Sequence, residues 1–177
     1  KSALTALTSG SGNTAVGYLA ATDITTGIGN TVVGYEALTN SQLAVGYSTA
    51  MGWRAGYKLG DDGNSDHSSY NTAVGYLSMG GGHNTVANNI ASYNTAIGFQ
   101  SLGGETGTTI SMTGTSNVAI GHSSMSNWST GGSNVAIGKD AGGTLTTGAS
   151  NTLIGTSVNA DVAGQTYQTV IGSSGVF

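Results

Sequence analysis

The chain has 177 residues, only 7% of them charged, with a formal net charge of −4 and a pI near 4.9. Typical globular proteins carry about 25% charged residues. The low count of Lys and Arg excludes a basic surface for nucleic acid. No apolar run approaches the ~20 residues of a membrane-spanning helix, so we expect no membrane insertion in this segment. Cysteine is absent, which excludes disulfides.

The chain is rich in glycine, with 31 residues, and lacks proline. Disordered segments combine low hydrophobicity with high net charge. Here 37% of residues are hydrophobic, the mean hydropathy is near zero, and the apolar residues recur at regular positions. These features predict an ordered repeat. Because the chain begins with Lys1 and ends shortly after a copy of the repeat, we interpret it as a piece of a longer fibre.

A short phrase, Asn-Thr/Val-Ala-Val/Ile-Gly, recurs from the first copy, GNTAVGY at residues 12–18, to the end of the chain. A degenerate copy, WRAGY, adds a glycine at Gly56. The mean spacing of about 17 residues predicts roughly ten coils. The glycines of the clear copies are Gly17, Gly34, Gly46, Gly75, Gly98, Gly121, Gly138, Gly155 and Gly172.

The 17-residue units also agree outside the phrase. A turn sequence, Thr-Gly-x-Ser/Gly-Asn, precedes the main segment, which predicts two extended segments and two turns in each unit. Within the main segment, apolar and small residues alternate with period two, as in a strand. We expect Thr14 and Val16 to face the core, and Ala15 and Gly17 to allow close packing on the other face. A large apolar residue lies seven positions after the glycine: Ile24, Trp128, Leu145 and Val162.

Stacking of such units predicts an all-β chain folded as a parallel β-solenoid. We assign residues 1–12 to a lead-in and residues 13–177 to the solenoid. Departures from the repeat predict insertions near residues 48–70, 80–92 and 103–112. Each coil adds about 4.8 Å, the spacing between strands in a sheet.

An asparagine opens most copies, and Gln42 and Gln168 take its place in two. Asparagine accepts left-handed backbone and bonds nearby main chain in turns. Stacked turns would place these side chains in a ladder, so we interpret them as structural rather than ligand-binding. The ladder residues are Asn13, Asn30, Asn71, Asn94, Asn117, Asn134 and Asn151.

These residues resemble a known family. SNVAIG at 116–121 and 133–138 is similar to the Asn-Ser-Val-Ala-Ile-Gly motif of trimeric autotransporter adhesin heads. GNTVVGYEAL at 29–38 resembles repeats of phage tail fibres and other virion fibres. The resemblance runs from Gly12 to Gly172, although the adhesin unit is shorter. It implies a left-handed β-roll with three chains around one axis, so a homotrimer is expected.

An aromatic residue follows the glycine in six copies. A strip of such rings has two interpretations, a surface that binds sugar rings or a ladder that packs a coil corner or a trimer seam. Because stacked aromatic rings commonly serve packing, we favour the second. The residues are Tyr18, Tyr35, Tyr47, Tyr57, Tyr76 and Phe99, after which His122, Lys139, Thr156 and Ser173 follow.

Residues 48–70 depart most from the repeat and concentrate charge. Insertions in solenoids often lie on the binding face, so this segment supplies the candidates for receptor contact. Asp62, Asn64 and Asp66 match the start of a calcium loop, but His67 and Ala73 stand where glycine and glutamate are required. Because of these two mismatches we favour a solvated loop over a calcium site, and no other cofactor is indicated. The contact candidates are Trp53, Arg54, Lys58, Asp61, Asp62 and His67.

No catalytic motif is present, so the sequence favours a structural, non-enzymatic fibre segment outside the cell. We expect a stiff rod that presents loops to a glycan or protein of a host surface, in a phage tail fibre or virion appendage. One alternative is the head of a bacterial trimeric surface adhesin. Another is a tailspike polysaccharide hydrolase, for which Asp61, Asp62 and Asp66 form the one carboxylate cluster in the sequence. An ice-binding solenoid would need a regular Thr-x-Thr array.

Overall fold

A computed structural model describes residues 2–39, 45–60, 68–80, 90–103, 112–160 and 163–173. In these ranges the chain is all-β and folds as a parallel β-solenoid. Nine three-residue strands pair in sequence order to form one parallel sheet, which is about 40 Å tall at the usual strand spacing. The strands are β1 (Thr14–Val16), β2 (Thr31–Val33), β3 (Thr49–Met51), β4 (Thr72–Val74), β5 (Thr95–Ile97), β6 (Val118–Ile120), β7 (Val135–Ile137), β8 (Thr152–Ile154) and β9 (Thr169–Ile171).

The sheet register corrects the alignment of the third coil. Val33 pairs with Met51, so Gly52 occupies the place that the repeat pattern assigns to Gly46 or Gly56. Gly46 instead forms an isolated bridge to Ser69. The phrase LAVGY at residues 43–47 resembles the repeat more closely than STAMGW at residues 48–53 does, yet strand β3 lies in STAMGW. Regular coil therefore extends into the segment assigned to the first insertion, and the described sheet has nine strands where about ten coils were expected.

Outside the nine strands the described residues form turns, bends and single-residue bridges, such as those at Ile24 and Gly46, so the predicted second extended segment does not form a second strand. Left-handed backbone recurs at matching positions of successive coils. The second residue after the repeat glycine has φ of 52° at Glu36, 52° at Arg54 and 51° at Gln100. Such residues bend the chain in less space than a second strand requires. Their N–H groups still bond to the neighbouring coil, as in Glu36 N–H to Tyr18 O at 2.8 Å.

The predicted orientation of the strands is also wrong. The middle residue of each strand points inward and is buried from β2 to β8, as at Ala50, Ala96 and Ala136. The flanking residues point outward, and Val16 is 59% exposed. The period-two alternation is correct, but its two faces are exchanged. The inward position holds alanine in β3–β7 but Val32 in β2 and Leu153 in β8, and the outward positions hold the Thr, Val, Ile and Met residues of the strands.

Larger apolar residues enter the interior from the turns. Ile24, Trp128 and Leu145 are fully buried, as expected from their place seven residues after the glycine, while Val162 lies outside the described residues. Sizes are matched between neighbours. An added Cβ on Gly142 would lie 3.1 Å from Met125 Cγ and 3.3 Å from Ala136 Cβ, so the glycine leaves room for these neighbouring side chains.

The asparagines that open the strands are stacked and joined by hydrogen bonds. Asn134 N–H donates to Asn117 Oδ1 at 2.9 Å, and Asn134 Nδ2 donates to Gly148 O at 2.8 Å. The next residue in the ladder, Asn151, donates to Asn134 Oδ1 from both its backbone N and Nδ2 at 3.0 Å. Ser48 takes the asparagine position in the third coil, and Gln42 lies outside the described residues. The ladder thereby satisfies buried polar groups from coil to coil.

One buried hydroxyl in the described ranges lacks the hydrogen bond that the equivalent hydroxyl makes in another coil. Within the described chain, Ser124 Oγ has no hydrogen-bond partner, whereas Ser78 Oγ at the matching position donates to Ala96 O at 3.0 Å. Ala37 and Ala141 occupy the same position in other coils. We expect Ser124→Ala to raise the free energy of unfolding by about 1 kcal/mol, because an unpaired buried polar group is removed. Ser78→Ala should lower the free energy of unfolding by a similar amount, measured by chemical denaturation. A decrease in the free energy of unfolding for Ser124→Ala would contradict this explanation.

Candidate functional site

The outward side of the sheet is an exposed apolar surface, which we call the outer face and define as the first and third residues of β1–β9. Its third-residue column contains only Val, Ile and Met. Several of these side chains are well exposed, with Ile97 at 39% and Ile171 at 69%. Its first-residue column contains Thr or Val. A contiguous apolar strip of this kind is typical of an interaction surface.

An aromatic ladder borders the outer face on the side of the repeat glycine. Its members stack with centroid distances of 4.7–6.2 Å and interplanar angles of at most 10°. Trp53 occupies the third position, in place of the Tyr47 and Tyr57 assigned to this column from the sequence. We call it the first ladder, and its rings are Tyr18, Tyr35, Trp53, Tyr76, Phe99 and His122.

A second ladder borders the opposite side of the outer face and is not predicted from the sequence. It consists of Tyr47, Tyr70 and Tyr93, with centroid distances of 5.2 and 4.9 Å. Each ring belongs to the residue before the ladder asparagine or its Ser48 substitute. The signal is visible in the tyrosines of YNT at 70–72 and 93–95, but the repeat alignment assigns Tyr47 to the other column.

The geometry of both ladders disfavours the sugar-binding interpretation. A sugar ring stacks on the flat face of an aromatic ring, and the flat faces inside a ladder are covered by the neighbouring rings. Tyr35 lies between Tyr18 and Trp53, and Tyr70 lies between Tyr47 and Tyr93. What these rings present outward is their edges, which suit packing against another apolar surface.

A charged cluster adjoins the first ladder and contains three of the predicted contact residues. Arg54 Nε donates to Glu36 Oε2 at 2.6 Å, and the Arg54 guanidinium lies 4.4 Å from the Trp53 ring centroid. Lys58 Nζ lies 6.0 Å from the Tyr57 ring centroid. A hydrogen bond to the Glu36 carboxylate raises the pKa of the Tyr35 hydroxyl, with loss of hydration and the negative charge of Glu36 adding to it. The cluster holds Arg54 in place beside the ladder.

The other predicted site residues lie outside the described ranges. Asp61, Asp62 and His67, and with them the calcium candidates Asn64 and Asp66, fall in residues 61–67. Among the described residues, no three His, Asp or Glu side chains are grouped closely enough to hold a metal ion. The same part of the chain contains no helix of the length and apolarity that a bilayer crossing requires.

A smaller polar group continues the first ladder where its aromatic rings end. His122 stacks on Phe99 with 4.9 Å between centroids, and its Nδ1 lies 3.8 Å from Asp140 Oδ1. Lys139 forms an ion pair with the same Asp140. The described part of the chain thus has an exposed apolar face with an aromatic ladder on each border. Comparison of the whole chain with protein-family models, curated proteins and solved structures found no match.

Proposed function

We propose that the chain is a non-enzymatic structural segment of an extracellular fibre, in which three copies pack their outer faces together. The rod would act as a stiff spacer in a phage tail fibre or virion appendage and present its insertions to a host glycan or protein. The resemblance of the repeat to trimeric fibres and adhesin heads supports the number of copies. The handedness it implies, left-handed, belongs to the same proposal.

The observation that carries the proposal is the exposure of the third-residue column. Val16, Ile97 and Ile171 would each lose exposed apolar area if copies met along the sheet. Burial of apolar surface contributes about 25 cal/mol per Å², and a column that continues over nine strands repeats this gain at every coil. The ladders on both borders would then lie along the rims of the interface between copies, where the outer edges of the rings stay open to solvent. Regular register along the rod makes such packing continuous.

The head of a bacterial surface adhesin is the close alternative, since the same rod and the same packing serve it. Sequence flanking this segment separates the two, through a membrane anchor for the adhesin or a virion-attachment domain for the fibre. A tailspike hydrolase requires two carboxylates flanking one bond on a rod face. Replacing Asp61, Asp62 and Asp66 together by asparagine tests it, because loss of a measured polysaccharide cleavage would overturn the non-enzymatic proposal.

The oligomeric mass in solution tests the assembly directly. We expect light scattering to give three times the chain mass of 17.4 kDa. Ile97→Asp should shift the mass toward a single chain, because a charge would be buried at the centre of the interface. Thr144→Asp, which adds the same charge at an exposed turn outside the outer face, is the control and should leave the mass unchanged. A wild-type chain that is monomeric at micromolar concentration would contradict the proposal.

A further inference from the structure

Five of the eight tyrosines are stacked directly on another tyrosine. The three neighbour pairs are Tyr18 with Tyr35, Tyr47 with Tyr70, and Tyr70 with Tyr93. Their centroids are 4.9, 5.2 and 4.9 Å apart, and their planes are tilted by 7°, 9° and 5°. The partners are 17 or 23 residues apart in the sequence, so every pair joins two successive coils.

These pairs combine proximity with access to solvent. Tyr18 is 38% exposed and Tyr93 is 60% exposed, so the edges of the phenol rings are open to a reagent in solution. Half-exposed side chains retain rotamer freedom. This freedom is needed because the ring centroids are about 5 Å apart, whereas the carbon–carbon bond that would form is about 1.5 Å long. Because the ring planes are tilted by only 5–9°, a rotation of the two side chains can bring their ortho carbons together.

We propose that the tyrosine pairs of the two ladders are sites of oxidative cross-linking, at which a one-electron oxidant forms dityrosine between coils. The oxidant class is a peroxidase with hydrogen peroxide. Each phenol loses one electron and one proton to give a phenoxyl radical. The two radicals join through their ortho carbons, and the hydrogens on those carbons move to the oxygens, restoring both phenols. The two electrons and two protons released reduce one hydrogen peroxide to two water molecules.

Each dityrosine would be a covalent cross-link in a chain that has no cysteine for a disulfide. A link between successive coils closes a loop of 17 or 23 residues and restricts the unfolded chain, as a disulfide does. Because Tyr70 contacts both Tyr47 and Tyr93, the second ladder offers two links from three residues. The inference concerns links within one chain and does not rest on the number of copies in the assembly.

The test treats the folded chain at low concentration with horseradish peroxidase and hydrogen peroxide. We expect dityrosine fluorescence, and peptides that carry a Tyr18–Tyr35, Tyr47–Tyr70 or Tyr70–Tyr93 link with the loss of two hydrogen atoms. Tyr35→Phe should remove the first link and Tyr70→Phe both others, so the double variant should lose the fluorescence. The matched controls are Tyr76→Phe, whose ring stacks on Trp53 and Phe99, and Tyr167→Phe, whose ring is 84% exposed.

Each possible result of the peroxidase experiment either supports or overturns the cross-linking proposal. Links confined to the three pairs, retention of the single-chain mass on a denaturing gel, and loss of selectivity in denaturant support the proposal. Links that mainly use Tyr57, Tyr76 or Tyr167 overturn it, and so does a folded chain that forms no dityrosine. Links that join different chains also overturn it, although they would agree with the proposed three-copy assembly. Failure of this inference and failure of the assembly proposal are thus distinguished by the mass on the gel and the mass in solution.

Discussion

Gly75→Ala should strongly destabilise the solenoid, although it adds only one methyl group. Gly75 has φ of +126°, and an added Cβ would lie 2.5 Å from Gly98 O and 2.8 Å from Gly98 C in the next coil. Neither contact can relax by a side-chain movement, because both partners are backbone atoms of the neighbouring coil. Conformational strain and overpacking together predict a loss of about 3 kcal/mol or more in the free energy of unfolding.

The last coil supplies the matched control. Gly172 occupies the same column of the repeat, yet an added Cβ there meets no atom within 4 Å, because no described coil follows it. Gly172→Ala should therefore change the midpoint of chemical denaturation little. Urea unfolding of both variants, followed by circular dichroism, measures the difference. If the two substitutions cost the same, close approach of successive backbones would not be the reason for the glycine column.

Asn134→Ala should have the second large effect, because it breaks the ladder on both sides. The substitution removes the donor to Gly148 O and the acceptor shared by Asn151 N and Nδ2, all of them buried. Buried polar groups left without partners cost about 1–3 kcal/mol each. We expect a loss of about 2–4 kcal/mol in the free energy of unfolding, measured by urea denaturation.

The chain itself suggests a conservative variant. In the third coil Ser48 Oγ accepts from Asn71 N–H at 3.1 Å, so a serine can keep one link of the ladder. Asn134→Ser should therefore lose less stability than Asn134→Ala. Asn127→Ala is the control outside the ladder, because this half-buried side chain makes one hydrogen bond, to Gly143 O at 2.7 Å. Equal decreases in the free energy of unfolding at Asn127 and Asn134 would show that the ladder hydrogen bonds contribute no more than a single bond outside the ladder.

The candidate site is only partly visible in the sequence. The aromatic residues after the glycine predict the first ladder, and they name four of its six rings correctly. Trp53 instead falls in a predicted insertion, and His122 follows the last aromatic residue of the predicted column. The second ladder is missed because its tyrosines precede the ladder position, where five other coils carry glycine or serine and the last coil carries Tyr167. A residue pattern that changes from coil to coil is weak evidence until the register is known.

The repeat alone establishes that this chain is a repetitive all-β stack, because a recurrent glycine, asparagine and β-branched pair suit one backbone path at every coil. Two features are decided only by the tertiary structure. The first is which face of each strand points inward, since period-two alternation is the same for either choice. In the folded chain the middle residue points inward, whether it is Ala50, Val32 or Leu153. The second is the register of the third coil, where backbone pairing of Met51 with Val33 outweighs the closer match of LAVGY to the repeat. That pairing places Trp53 in the first ladder and leaves Tyr47 for the second.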